Sequence, residues 1–156
     1  MTTHHALRLT QYAVRRLYAS QAEQAGLAFH LEIEEGLPLV EGDASQLRHA
    51  LGNLLDNALK FTPPGGTVSV GLRGYAGGVD LWVEDTGIGI PAGDLPHLFG
   101  RFHRSSNAAA YSGSGLGLTI VKAIAEAHGG QVSAENTGRG ARFSMHFTPS
   151  FSRTMH

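Results

Sequence analysis

The chain has 156 residues, no cysteine and a formal net charge of −1 at pH 7. This length suffices for one domain, which would bury about two-thirds of the unfolded surface. The near-neutral charge gives no electrostatic basis for binding nucleic acid or a membrane surface, and without cysteine there are no disulfides or thiolate metal sites. No apolar run approaches the roughly 18 residues of a membrane span, and no signal peptide is evident. We therefore expect a cytoplasmic domain without membrane contact, which does not exclude an anchor elsewhere in a longer parent protein.

The first predicted elements are a helix over 7–25, which Gly26 ends, and a strand over 27–33. Apolar and polar residues alternate in the strand, which indicates one buried face. A second helix begins after Asp43, with Gln46 three residues later as in a capping box. The apolar stripe of this helix consists of Leu47, Ala50, Leu51, Leu54, Leu55, Ala58 and Leu59.

The run Pro63-Pro64-Gly65-Gly66 ends the second helix. Two strands are then predicted over 67–72 and 79–85, with a glycine-rich turn between them. Residues 86–114 are rich in small and polar side chains and form too long a segment for an ordinary connection. Segments of that length in a compact domain are usually lids or binding loops.

A helix over 115–127 and a hairpin of strands 131–136 and 141–148 complete the pattern. Strands mixed with helices on one face predict an α/β fold, specifically a two-layer α/β sandwich. The predicted organisation is a helical lead-in, one domain and a tail, with the boundaries 1–26, 27–148 and 149–156.

The capped helix carries a polar face opposite its leucines. At about 100° per residue, Asn53, Asn57 and Lys60 share this face with His49. Asparagine is unfavourable inside helices, so two of them four residues apart suggest a function. An amide oxygen also suits Mg²⁺, which prefers oxygen ligands and retains room for phosphate and water.

A carboxylate followed by glycines ends the strand over 79–85. Asp85 can accept a hydrogen bond from the exocyclic amine of adenine, and Gly87 and Gly89 let the backbone approach a flat base closely. An ordinary turn after a strand would give the same local pattern. The carboxylate gains significance because it follows the asparagine-bearing helix.

The segment Gly113-Ser114-Gly115-Leu116-Gly117 enters the helix over 115–127. Free N–H groups at such a helix start bind anions. The segment is not a dinucleotide fingerprint, because Leu118 occupies the third glycine position, and no Gly-Lys-Ser/Thr of a P-loop follows. Earlier in the long loop, Phe99 and Phe102 bracket Gly100-Arg101, and Arg104 is a candidate phosphate contact.

These four segments, in this order, resemble the catalytic and ATP-binding domain of sensor histidine kinases. That domain shares its fold with type II topoisomerases, the Hsp90 chaperones and the MutL repair proteins. The resemblance runs from about Leu27 to Phe147. It implies the Bergerat ATP-binding fold, with a mixed sheet against helices on one face, a mobile ATP lid, and ATP and Mg²⁺ as ligands.

The resemblance also implies the roles of single residues. Asn57 would be the Mg²⁺ ligand, Lys60 would neutralise phosphate charge, and both would be catalytic together with Asn53. The residues implied to bind the nucleotide are Asn53, Asn57, Lys60, Asp85, Gly87, Ile88, Gly89, Phe102, Arg104, Gly113, Ser114, Gly115, Leu116, Gly117 and Leu118.

Asn53 departs from the topoisomerase-type ATPases, which hold a glutamate at the matching position to activate water. An amide cannot act as a general base at neutral pH. This favours transfer of the γ-phosphate to a partner side chain over transfer to water. His49, one helical turn earlier, is a less favoured alternative base.

The resemblance implies partners that this sequence does not contain. The phosphate acceptor would be a histidine on a dimerisation and phosphotransfer domain, which would in turn serve a response regulator, and we expect the isolated domain to be a monomer. Three alternatives share the motifs: a serine kinase of the anti-sigma-factor type, a topoisomerase- or MutL-type ATPase, and a nucleotide-binding domain that never transfers phosphate.

Overall fold

The computed structural model describes residues 18–37, 42–75, 77–99 and 117–148. The predicted start of the first helix, the lid and the C-terminal tail lie outside the described residues. None of the helices within these ranges is long and apolar enough to cross a lipid bilayer.

The described part of the chain begins in a helix. Residues 18–24 are helical, and Gly26 adopts a left-handed conformation with φ 75°, which ends the helix as the sequence predicts. Strand β1 spans Ala28–Ile33, and its residues alternate between exposed and partly buried, as predicted. Its partly buried apolar residues are Phe29, Leu31 and Ile33.

Helix α1 spans Ala44–Phe61, and its predicted cap is confirmed. Oδ1 of Asp43 accepts a hydrogen bond from the backbone N–H of Gln46 at 3.0 Å, which satisfies one of the donors that every helix start leaves unpaired. Thr62 is the C-cap, directly before the predicted proline stop. The buried stripe consists of Leu47, Ala50, Leu51, Leu54, Leu55 and Ala58, while Leu59 is only partly buried.

Strands β2 and β3 span Thr67–Tyr75 and Gly78–Asp85 and form a hairpin. Both strands extend further toward the turn than predicted, because Tyr75 still pairs with Gly78. Glycine is rare in strands, so the glycines of this segment indicated a longer turn than the hairpin has.

A 3₁₀-helix at Ala92–His97 follows. The sequence did not predict it, since so short a turn carries no measurable periodicity. Helix α2 spans Gly117–Ala127, and strands β4 and β5 span Gln131–Asn136 and Ala141–Phe147. Strand β4 agrees with the prediction, and β5 is one residue shorter than predicted. Helix α2 ends where predicted, while the first two residues of the predicted helix, 115 and 116, lie outside the described residues.

The five strands form one sheet in the order β1-β2-β3-β5-β4. β1 and β2 are parallel, and the other three neighbouring pairs are antiparallel. Helices α1 and α2 contact each other and lie on one face of this mixed sheet. The predicted two-layer α/β sandwich is confirmed, with the hydrophobic core between helices and sheet.

The alternation along β3 sets the position of Asp85. Val79, Leu81 and Val83 point into the core, so Asp85, two residues beyond Val83, points toward the helix layer as well. Trp82 lies on the opposite face, where the guanidinium carbon of Arg142 is 5.2 Å from its ring centroid. The carboxylate of Asp85 therefore lies on the helix side of the sheet, at the end of β3.

Candidate functional site

The polar face of α1 lies beside the first turn of α2. Asn53 and Asn57 are partly buried, and Lys60 is exposed. Nδ2 of Asn53 donates a hydrogen bond to the backbone oxygen of Gly117 at 3.3 Å. The structure thus brings the asparagine motif together with the last glycine of the predicted phosphate loop.

Lys60 lies in the last turn of α1, with its Nζ 5.3 Å from the ring centroid of Phe61. The ammonium group at this position is exposed to solvent. Since a lysine side chain is a long and flexible point charge, it can approach an anion on the polar face without any rearrangement of the helix.

Asp85 is a buried hydrogen-bond acceptor at the end of β3, with 5% of its surface exposed. Its Oδ1 accepts a hydrogen bond from the N–H of Gly87 at 2.8 Å. Burial raises the pKa of this carboxyl, hydrogen bonds from the backbone of Gly87 and Ala141 lower it, and the charge of Glu84 raises it. The net pKa is above the ordinary value, and such shifts are common at functional sites.

The turn after Asp85 lies against the end of α1. The N–H of Ile88 donates to the backbone oxygen of Phe61 at 3.4 Å. A Cβ on Gly87 would lie 2.3 Å from that same oxygen, so only glycine fits there. Ile88 is 57% exposed, which leaves an apolar side chain at the surface beside the buried carboxylate.

A residue that the sequence analysis did not identify holds the far end of this turn. The carboxamide of Asn136, at the end of β4, bonds both the N–H and the oxygen of Ile90, each at 2.7 Å. Nothing in the sequence indicates this contact, because an asparagine before a glycine-rich turn is ordinary turn chemistry.

Three sets of predicted site residues remain, and the first is Gly89, which adopts a left-handed conformation with φ 76° in the turn after Asp85. Leu118 is 2% exposed and belongs to the core, so its side chain packs there, while its backbone lies at the start of α2. The predicted contacts that lie outside the described residues are Phe102, Arg104, Gly113, Ser114, Gly115 and Leu116.

Two further polar residues lie close in sequence to the predicted motifs. Glu84, which precedes Asp85 in β3, points to the other face of the sheet, where it pairs with Arg142 at 2.6 Å. His49 is exposed on α1.

A Mg²⁺ site here would depend on the nucleotide. Among the described residues, no group of three or more histidine, aspartate or glutamate side chains could hold a metal ion. The amide oxygen of Asn57 is a suitable single ligand for Mg²⁺, which usually retains waters and phosphate oxygens in its octahedron. The donor set therefore fits Mg²⁺ brought in with a polyphosphate, and does not fit a metal held by protein alone.

The sequence profile of a known family matches residues 42–150 of the chain. Its description is histidine kinase-, DNA gyrase B- and HSP90-like ATPase. Since this match covers more than half of the 156 residues, the chain belongs to that family. The family resemblance inferred from the four motifs is confirmed.

Two curated relatives place the chain more narrowly. The sensor protein DivL of Caulobacter vibrioides is 41% identical over 126 residues, which cover 80% of this chain and 16% of DivL. The probable sensor kinase SilS of Salmonella typhimurium is 45% identical over 111 residues, which cover 69% of this chain and 22% of SilS. The chain therefore spans less than a quarter of the length of these relatives.

Solved structures show the same similarity at the level of the fold. The catalytic domain of histidine kinase ThkA superposes with a TM-score of 0.78 at 25% identity, over 92% of this chain and 94% of that domain. The mycobacterial sensor histidine kinase MprB superposes with a TM-score of 0.74 at 32% identity, over 96% of this chain and 98% of that chain.

Proposed function

We propose that this chain is the ATP-binding catalytic part of a cytoplasmic sensor histidine kinase module, which transfers the γ-phosphate of ATP to a histidine on a separate domain. The observation that carries the proposal is the placement of two motifs along α1: Asn53 bonds Gly117 at 3.3 Å, and the turn after the buried carboxylate of Asp85 contacts the end of the same helix. The similarity to sensor kinases over most of the chain supports it.

The base and the phosphates would bind to different elements. Adenine would donate a hydrogen bond from its amine to Asp85 and lie against Ile88, whose exposed side chain would be covered by the base. The phosphates would lie along α1, near Lys60, and at the start of α2, where backbone N–H groups favour anions.

The side chains of the site favour transfer to a protein acceptor over hydrolysis. Water attack requires a group that takes its proton, and a carboxamide cannot do so at neutral pH. Asn53 additionally donates a hydrogen bond from its Nδ2 to Gly117, which holds the side chain toward the phosphate end of the site. A histidine nucleophile needs no such base on this chain.

Phosphoryl transfer of this kind depends mainly on positioning and electrostatics. A ring nitrogen of the acceptor histidine attacks the γ-phosphorus, the bond to the β,γ-bridging oxygen breaks, and ADP leaves. Asn57 would hold a Mg²⁺ ion, which would offset phosphate charge. Lys60 would add a second positive charge on the same side.

The partners in this proposal lie outside the chain. They are a dimerisation and phosphotransfer domain that bears the acceptor histidine, and a response regulator served through it. The chain itself would be a monomer. The solved complex of ThkA with the response regulator protein TrrA, whose ThkA chain is 24% identical to this one, illustrates such an assembly.

The proposal is tested by incubating the chain with Mg²⁺ and γ-labelled ATP, and by measuring bound nucleotide, free phosphate and covalent label. We expect saturable binding, phosphate release close to the uncatalysed background, and no label on this chain. Adding a histidine-bearing phosphotransfer domain should produce an acid-labile, alkali-stable label on that domain. Steady phosphate release would indicate an ATPase, and an acid-stable label would indicate a serine kinase.

Asn57→Ala provides the variant for the same assay. Removing the proposed Mg²⁺ ligand should lower Mg²⁺-dependent ATP affinity by more than about tenfold, or about 1.4 kcal/mol, without loss of helical circular dichroism. Ser45→Ala, an exposed change in the first turn of α1, is the matched control. Wild-type affinity of Asn57→Ala for Mg·ATP would contradict the Mg²⁺ assignment.

A further inference from the structure

Asn136 makes two hydrogen bonds to a single backbone unit. Its Oδ1 accepts from the N–H of Ile90, and its Nδ2 donates to the oxygen of Ile90, each at 2.7 Å. This is the pair of bonds that a facing residue of a neighbouring strand would supply. The side chain of Asn136 thus makes the hydrogen bonds that a neighbouring strand would make, although Ile90 lies beyond the end of β3 and is not part of the sheet.

Ile90 is the far anchor of the turn that begins at Asp85. Its side chain is 4% exposed and belongs to the core. The near anchor is Asp85 itself, which is paired with Ala141 of β5. Between the anchors, the N–H of Ile88 bonds the end of α1. Asn136 therefore completes the set of bonds that fixes the turn at both ends and in the middle.

The turn has room to move if that bond pair is lost. An open cavity of about 440 Å³ lies between the turn and the β4–β5 hairpin, lined on one side by Gly87, Ile88 and Gly89 and on the other by Asn136 and Arg139. Among the described residues, no side chain fills this space, and on that side the turn is contacted by the backbone of Gly140 and by the hydrogen bonds of Asn136. Loss of the Asn136 bonds would therefore leave this part of the turn less restrained.

We propose that Asn136 is a positioning residue for base recognition, which fixes the turn so that the carboxylate of Asp85 meets the exocyclic amine of the purine. The inference rests on the proposed function and extends it to a strand that carries none of the predicted motifs. Hydrogen bonds weaken steeply when distance and angle depart from their optimum. A loosened turn therefore affects recognition of the amine more than binding of the phosphates, which lie at α1 and α2.

The test compares two nucleotides on the full chain. Inosine triphosphate has an oxygen where ATP has the amine, so it shares the phosphates but lacks the group that Asp85 recognises. In Asn136→Ala, ATP affinity should fall about tenfold, equivalent to about 1.4 kcal/mol, whereas affinity for inosine triphosphate should stay close to that of the wild type. Gln131→Ala, an exposed change at the other end of β4, should alter neither affinity.

A second variant covers the case in which Asn136→Ala does not fold. Asn136→Asp keeps the shape and the acceptor for the N–H of Ile90 but, when ionised, cannot donate to the oxygen of Ile90. It should also lose ATP affinity selectively.

The outcomes separate this inference from the proposed function. Wild-type ATP affinity in both Asn136 variants would overturn the inference, and so would equal losses for the two nucleotides, because equal losses indicate a general structural role. A wild-type chain that binds no ATP would overturn the proposed function and the inference together.

Discussion

The side chain of Asp85 is buried, and burial disfavours the ionised form of its carboxyl group. Burial is the main cause that raises the pKa of this carboxyl above 3.8. For a group whose pKa is higher in the folded than in the unfolded state, the contribution to stability is present below the unfolded value. It is lost as the pH rises through the folded value. At neutral pH, ionised Asp85 therefore lowers stability, which is expected where a charge serves binding.

Asp85→Asn should make the protein more stable at pH 7 and unable to recognise adenine. The amide removes the cost of the buried charge, so the melting temperature at pH 7 should rise, and the difference from the wild type should shrink as the pH approaches about 4. ATP affinity should fall, since the neutral amide oxygen is a weaker acceptor than a carboxylate. Thermal unfolding by circular dichroism and ATP titration at several pH values measure both effects.

Glu35→Gln, which changes an exposed carboxylate, is the control and should leave both properties unchanged. A melting temperature of Asp85→Asn below that of the wild type at pH 7 would show that the hydrogen bonds from Gly87 and Ala141 outweigh the burial of the charge.

At the level of elements, hydrogen bonds near both ends of α2 connect it to α1 and to the N-cap residue of α1. Asn53 bonds Gly117 at its start. Beyond its end, Nε2 of His128 accepts a hydrogen bond from the N–H of Asp43 at 3.0 Å, while Nδ1 lies 2.8 Å from the oxygen of Ile124. This arrangement requires the neutral ring with its proton on Nδ1. The two helices that carry the proposed phosphate contacts are thereby held in one orientation.

His128→Ala should lower the free energy of unfolding by about 1 kcal/mol, because it removes the acceptor for the N–H of Asp43 and the donor to Ile124. The loss should be visible in urea unfolding, and hydrogen exchange at the Asp43 amide should become faster. Lys122→Ala, an exposed change on α2, is the matched control. Unchanged exchange at Asp43 would show that this bond does not join the helices in solution.

At the level of the whole molecule, local patterns predicted the elements well. Helix α1 was predictable because its leucine stripe, its cap at Asp43 and its proline stop are all encoded within about twenty neighbouring residues. The closing hairpin was predictable from alternation and glycines. The motif order gave the family, since Asp85 and Gly117 lie at element ends, and Asn53 and Asn57 on a helix face, that the same patterns define.

The contacts that connect these elements were not predictable from one sequence. The bond pair of Asn136 joins residues 46 positions apart, and the approach of Gly140 to Asp85 depends on the order of β3 and β5 in the sheet. Neither contact produces a periodic pattern in the sequence, because both contacts depend on how the strands are paired and not on local composition. The 3₁₀-helix was missed because one short turn has no repeat to detect.

Gly140 tests whether the hairpin positions the site, because it lies against the backbone of the Asp85 turn. A Cβ at Gly140 would lie 2.1 Å from the oxygen of Asp85 and 2.8 Å from the nitrogen of Gly87. These are backbone atoms of the last residue of β3 and of the turn after it, and they cannot move aside cheaply. Gly140→Ala should therefore displace the turn, lower the free energy of unfolding by about 2 kcal/mol and weaken ATP binding.

Gly93→Ala is the control, because a Cβ there would meet no atom within 4 Å. It should keep the unfolding free energy within about 0.5 kcal/mol of the wild type and leave ATP binding unchanged. Urea unfolding and ATP titration of both variants measure the difference. If Gly140→Ala unfolded and bound ATP like Gly93→Ala, the hairpin would not press on the turn. The geometry that links β5 to the proposed base site would then be refuted.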